Sequence, residues 1–183
     1  VAKSRNFYGS LTVRDVPVAG EWQRQLIDGT TSHGAQYQDS ELAQVPLSYY
    51  RPATGVALAI NHFLPADPSR TALQLRQRQL GLVGLGAGAL AAYGRAGDSL
   101  HFYEINPAVI KVANDYFSYL ANSAAQIDIV PGDARLTLTE QLRHGSQQFD
   151  VLVLDAFSSD SIPQHLLTVE AMQLYWQHLQ SDG

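Results

Sequence analysis

Four stretches of the chain place small or acidic residues where a ligand could be met. Gly84-Leu85-Gly86-Ala87-Gly88-Ala89 fits the pattern G-x-G-x-x-G/A. Glycines there permit a tight turn and close backbone approach, and a helix after it would offer free N–H groups; such turns also recur for packing alone. Glu104 lies twenty positions after Gly84, the separation at which a carboxylate accepts hydrogen bonds from ribose hydroxyls, with a solvated strand end as the plain alternative. Pro131-Gly132-Asp133-Ala134 offers a carboxylate to an adenine amino group, or a cap to a helix starting near Arg135. Asp155 and Asp160 share the polar loop of residues 155–163. With Glu104 and Asp133 they would build an anionic mouth that repels anions and attracts an amine; an Asx turn with Asp160 capping a short helix is the structural alternative.

These residues must be held by a sheet. Gln79-Leu80-Gly81-Leu82-Val83 is an apolar run without alternation, as a buried parallel strand requires. The Gly-rich turn and a small-residue helix follow it. Strands are then expected at residues 100–105, 127–130 and 149–154, and helices at 107–120, 135–144 and 167–179. Strand and helix alternate four times, which predicts an α/β, Rossmann-like (class I methyltransferase-like) parallel sheet with helices on both faces. In such a sheet ligands lie beyond the carboxyl ends of the strands, where all four stretches fall. Upstream, residues 7–13 and 22–27 flank a Pro/Gly break and predict a hairpin or short meander. Asp28-Gly29 is a turn signal, residues 30–52 read as loop, and a helix is expected over 54–63. The expected organisation is an N-terminal β-region with a substrate loop over 1–52, then a nucleoside-binding domain over 53–183, truncated at its C-terminal end.

With 45% hydrophobic and 16% charged residues, the chain can bury a core and is not a disordered tail. A net charge of −5 with no dense Lys/Arg run argues against nucleic acid as a partner. The absence of cysteine excludes disulfides, thiolate metal sites and Cys nucleophiles. His33, His62, His101, His144, His165 and His178 show no metal-ligand spacing, so no metal is expected. Tyr103, Tyr116, Phe117 and Tyr119 read as packing. The longest uncharged run, residues 80–94, is about fifteen residues, too short for direct membrane insertion. Residue 1 is Val and the chain stops at Ser181-Asp182-Gly183, which suggests a fragment of a longer polypeptide.

Taken together, the Gly84–Ala89 turn, Glu104, Gly132-Asp133-Ala134 and Asp150-Val151-Leu152-Val153-Leu154-Asp155 resemble the spermidine synthase (polyamine aminopropyltransferase) family. Leu26-Ile27-Asp28-Gly29, Gln36 and Tyr49-Tyr50 resemble that family's N-terminal region and substrate loop. The wording from Asp155 to Thr168 is similar to a branch often fused behind membrane-spanning segments. The resemblance implies a sulfonium nucleoside, decarboxylated S-adenosylmethionine or S-adenosylmethionine, as group donor. It sets Glu104 on the ribose, Asp133 with Ala134 near the adenine, and Gln36 beside the nucleoside, with Gly84, Gly86 and Gly88 forming the turn. Asp155 matches the family's essential carboxylate at the amine site, and Tyr49 or Tyr50 a tyrosine there. Two departures stand out. Ala87 occupies the slot where the family carries an Asp that meets the aminopropyl ammonium. Asp160 follows Asp155 by five residues rather than three.

The reaction so implied is transfer of an aminopropyl group to a di- or polyamine. A carboxylate is a weak base for an alkylammonium, their reference pKa values lying about six units apart. Asp155 is therefore expected to orient the amine and take its proton as the new bond forms. An S-adenosylmethionine-dependent small-molecule methyltransferase and a non-catalytic nucleoside-binding domain of a membrane protein stand as alternatives, with an NAD-binding domain behind them. The expected setting is cytoplasmic, as a free protein or the soluble domain of a membrane protein; a homodimer is compatible with it.

Overall fold

The computed structural model describes residues 1–62, 77–156, 163–181 and 183. Asp160 and the rest of residues 157–162 lie outside the described residues, as does residue 63 of the first expected helix.

The N-terminal part is a four-stranded antiparallel meander: β1 (Ala2–Asn6), β2 (Gly9–Val18), β3 (Glu21–Asp28) and β4 (Thr31–Tyr37), in the order β1-β2-β3-β4. The hairpin expectation holds and extends to two further strands. β4 corrects the reading of residues 30–52 as loop. Its sequence Thr-Ser-His-Gly-Ala-Gln-Tyr lacks period-2 hydrophobicity, because its buried end is made of Gly34, packed on the Ala87 side chain, with Ala35 and Gln36 beside it. A bulge between Gln25 and Ile27 adjusts its pairing with β3. Phe7 and Tyr8 turn the chain between β1 and β2, so the predicted strand over 7–13 starts two residues later.

A helix α1 (Gly55–His62) leads to the second sheet: β5 (Gln79–Val83), β6 (Ser99–Glu104), β7 (Gln126–Pro131) and β8 (Val151–Leu154), all parallel in the order β7-β6-β5-β8. Helices α2 (Pro107–Tyr116), α3 (Ala134–Leu142) and α4 (Val169–His178) complete the α/β Rossmann-like architecture. Alternation along the strands divides the core between two faces. Leu80, Leu82, Leu100 and Phe102 pack with Ile60, Ala113 and Tyr119. Val83 and Tyr103 pack on the other face with Leu138, Phe149, Leu174 and Tyr175. A third cluster joins the meander to α2 through Leu11, Val13, Leu26, Val112 and Phe117.

The small-residue segment after the Gly turn is a five-residue 3-10 helix, Ala89–Tyr93, rather than an α-helix. Gly94 ends it, in a position where a Cβ would stand 2.6 Å from Ala125 and 2.7 Å from Ser123 Oγ. Below it, Arg78 and Asp98 form a buried ion pair, and the guanidinium also reaches the carbonyls of Ile60 and Tyr93. Among the described residues no helix is long and apolar enough to cross a membrane.

Candidate active site

Successive crossovers carry the chain from β5 to β6 to β7, and the next returns it to β8 on the far side of β5. The direction reverses between β5 and β8, the position at which open α/β sheets bind ligands. A cleft of about 700 Å³ opens there, within the usual range for a small-molecule site. Its walls come from both sheets.

The turn after β5 is shaped by backbone contacts. Gly84 has φ +101°, and a Cβ on it would stand 2.5 Å from the Asp155 carbonyl oxygen. Gly86, at φ +52°, packs so close to β4 that a Cβ would lie 2.4 Å from the His33 carbonyl oxygen. That carbonyl accepts a hydrogen bond from Ala87 N–H at 3.1 Å. Ala87 is buried against Gly34, and its side chain joins the cluster between the sheets. Gly88, also left-handed at φ +80°, packs on Leu120. Gly84 and Gly86 line the cleft; Ala87 and Gly88 do not.

Glu104, at the end of β6, is 8% exposed and lines the cleft. Its Oε2 accepts Leu85 N–H at 3.0 Å and its Oε1 accepts Asn106 N–H at 2.8 Å. Burial raises its pKa above the ordinary glutamate value, against the pull of those backbone donors. Gly132, Asp133 and Ala134 line the same end. Asp133 is the N-cap of α3, its Oδ1 accepting Leu136 N–H at 2.9 Å.

Asp155 stands at the end of β8. Its Oδ2 accepts a hydrogen bond from the Tyr50 hydroxyl at 2.6 Å. Burial raises its pKa, while the phenol's hydrogen bond pulls it down. Burial, then the Asp155 charge, push the Tyr50 hydroxyl well above its ordinary value, so Tyr50 remains a donor. Tyr49 packs edge-on against Tyr50 and donates to the Ser32 carbonyl at 2.9 Å. Both tyrosines line the cleft.

Gln36 is not among the lining residues. Its Nε2 donates to Ala43 O and Ser118 Oγ, and its Oε1 accepts Ser118 N–H, which ties β4 to the segment after α2. In its place the cleft receives residues that the sequence reading left aside. Asp28 contributes a buried carboxylate from the end of β3, with Oδ1 accepting Ser10 N–H at 3.0 Å. His33 lines the wall, and its Nε2 is buried with no partner among the described residues. Asn106 caps α2 and takes a hydrogen bond from Asn6. His165 reaches Asp133. Asp28 had been read as a turn residue and His33 as part of a loop, while Asn106 and His165 had been given no role in a site.

The charged lining residues are Asp28, Glu104, Asp133 and Asp155; no Lys or Arg is among the described residues of the wall. Among the described residues no group of three or more His, Asp or Glu is gathered for a metal ion.

The arrangement can be compared with known proteins. No family model matches the chain. A curated relative, the polyamine aminopropyltransferase of Vibrio vulnificus (strain CMCP6), is 32% identical over 105 residues, 56% of this chain and 34% of the relative. Among solved structures, the spermidine synthase from Thermotoga maritima matches with a TM-score of 0.56 and 16% identity, covering 98% of this chain and 53% of that one. The resemblance to the spermidine synthase family holds. The Thermotoga structure shares the fold, meander included. The sequence match spans about a third of the Vibrio protein's length, and the chain about half of the Thermotoga protein's.

Proposed function

We propose that the chain is a spermidine-synthase-like transferase that moves an aminopropyl group from decarboxylated S-adenosylmethionine to a di- or polyamine, leaving methylthioadenosine. The observation that carries this reading is the charge of the cleft: four carboxylates, with no Lys or Arg on the described wall. Donor and acceptor are both cations, and such a wall attracts them while repelling a dinucleotide's phosphates. The reaction named for the Vibrio relative agrees with it.

In this reading the nucleoside lies toward Glu104, Asn106 and Asp133, and the amine lies beside Asp155, Tyr50 and Tyr49. The amine nitrogen attacks the carbon next to the sulfonium. The C–S bond breaks and its electron pair passes to sulfur, which leaves as a neutral thioether. The new N–C bond leaves a surplus proton on nitrogen, and Asp155 is placed to receive it. Burial makes Asp155 a better acceptor than a surface carboxylate, and the Tyr50 hydroxyl fixes its orientation. Alignment of the two substrates supplies much of the acceleration, up to about 7–11 kcal/mol in favourable cases. Asp28 adds a fourth carboxylate for the cationic chains, where Ala87 cannot.

The test is formation of methylthioadenosine from decarboxylated S-adenosylmethionine with putrescine or spermidine. Turnover is expected in the wild type and should fall about 10²–10⁴-fold in Asp155→Asn, with methylthioadenosine affinity kept within about threefold. A wild-type chain that binds methylthioadenosine yet turns over with neither amine would overturn the proposal.

A further inference from the structure

The base end of the cleft holds a pair of side chains rather than a lone carboxylate. Asp133 Oδ1 accepts Leu136 N–H at 2.9 Å, and its Oδ2 lies 2.8 Å from His165 Nε2. Both oxygens thus have protein partners. The His165 backbone is fixed from two sides: Arg135 Nη1 donates to its carbonyl at 2.8 Å, and the neighbouring Leu166 carbonyl accepts the Tyr175 hydroxyl at 3.1 Å. The side chain itself is 49% exposed and lines the cleft. Nδ1 has no partner among the described residues.

Resting on the function proposed above, we infer that His165 is the residue that reads the base of the bound nucleoside, with Asp133 as its positioning residue. A carboxylate can only accept, so the bond at 2.8 Å places a hydrogen on Nε2. The bond made by one ring nitrogen sets the role of the other. In the neutral ring Nδ1 is then a lone-pair acceptor on a fixed backbone. Such an acceptor takes a hydrogen bond from the exocyclic amino group of a 6-aminopurine. A 6-oxopurine presents a carbonyl oxygen there, and lone pair would face lone pair. His165 therefore selects adenine nucleosides, whereas Asp133 serves it and caps α3.

The probes are methylthioadenosine and its 6-oxo analogue, methylthioinosine, titrated calorimetrically into the wild-type chain, His165→Ala and His165→Gln. The wild type is expected to prefer the amino nucleoside by about tenfold or more. His165→Ala should weaken methylthioadenosine about tenfold and leave the 6-oxo analogue within about threefold, which erases the preference. His165→Gln keeps an N–H for Asp133 and a carbonyl acceptor for the base, and should restore most of the loss. Thermal melts of the two variants matching the wild type would place the effect in recognition rather than in folding. Unchanged or tighter methylthioadenosine binding by His165→Ala would mean that Asp133 takes the amino group directly, and the inference would be wrong. Failure of the wild type to bind either nucleoside would instead remove the proposed function, and this inference with it.

Discussion

At the Glu104 and Asp133 end of the cleft the carboxylates are also bound into their own local backbone. Glu104 holds the N–H groups of Leu85 and Asn106, and Asp133 caps the helix that follows it. At the other end Asp155 is held by a phenol 105 positions away in sequence. The first arrangement couples ligand binding to the stability of the strand ends. The second leaves Asp155 with no backbone donor to satisfy among its described contacts, and lets a distant residue lower a proton affinity that burial raises. Local carboxylates build the site, and the long-range pair tunes it.

Three changes would break or sharpen that contrast. Glu104→Gln should have the largest effect, weakening methylthioadenosine about 100-fold, since a charged acceptor is lost. It should also lower the melting temperature, because an amide carries only one acceptor oxygen for two backbone donors. Calorimetry alongside a thermal scan reads both, and a change in affinity with an untouched melt would separate the two roles assigned here to one side chain.

Tyr50→Phe comes next, with turnover expected to fall about tenfold while methylthioadenosine binding is retained. The lost hydrogen bond had been lowering the Asp155 pKa against the upward push of burial. The acid limb of the turnover profile should therefore move to higher pH in the variant. A limb that stays in place would show that the phenol does not govern the carboxylate.

The smallest effect lies outside the cleft. His178 is fully buried; its Nδ1 accepts Gln147 N–H and its Nε2 donates to the Leu138 carbonyl. Burial lowers its pKa below the ordinary value of 6.5. The unfolded chain thus takes up a proton that the folded chain refuses, and stability is complete above that value and declines as the pH falls below it. Denaturant midpoints should be lower at pH 5.5 than at pH 7.5, with the slope reduced in His178→Gln. Loss of stability affects both ends of the cleft alike, whereas protonation of Asp155 affects turnover alone. Comparing binding with turnover on the acid side therefore tells the two apart.

The parallel sheet was legible because β5 and β8 are short apolar runs, strands and helices alternate, and the helices begin at capping residues such as Asn106, Asp133 and Thr168. Glu104 and Asp155 were legible because strand ends are where such folds place ligands. β4 was not, since its buried half is a glycine, an alanine and a glutamine amide rather than large hydrophobic side chains. Missing β4 hid His33, and Gln36 was expected beside a ligand when its amide is used in joining β4 to Ala43 and Ser118. Asp28 looked like a turn residue because the wall it faces comes from another sheet. His165 fell within the Asp155–Thr168 wording, but nothing there pointed to its pairing with Asp133, 32 positions upstream. The tyrosines entered only through the family resemblance, and the structure brings the hydroxyl of Tyr50 onto Asp155.

The glycine turn described above meets β4 through Gly86 and Gly34, where neither side leaves room for a Cβ. The joint works as a dovetail: Gly86 sits against the His33 carbonyl, and Gly34 against the Ala87 Cβ, which has no rotamer to change. Soft side chains can absorb a neighbour's growth by changing rotamer, but a main-chain carbonyl cannot step aside. Size variation at positions 34 and 86 would thus be transmitted undamped across the joint, prising Asp28, His33 and Tyr49 away from Glu104 and Asp155. The breadth of the cleft is set by two residues that contribute no side chain to it.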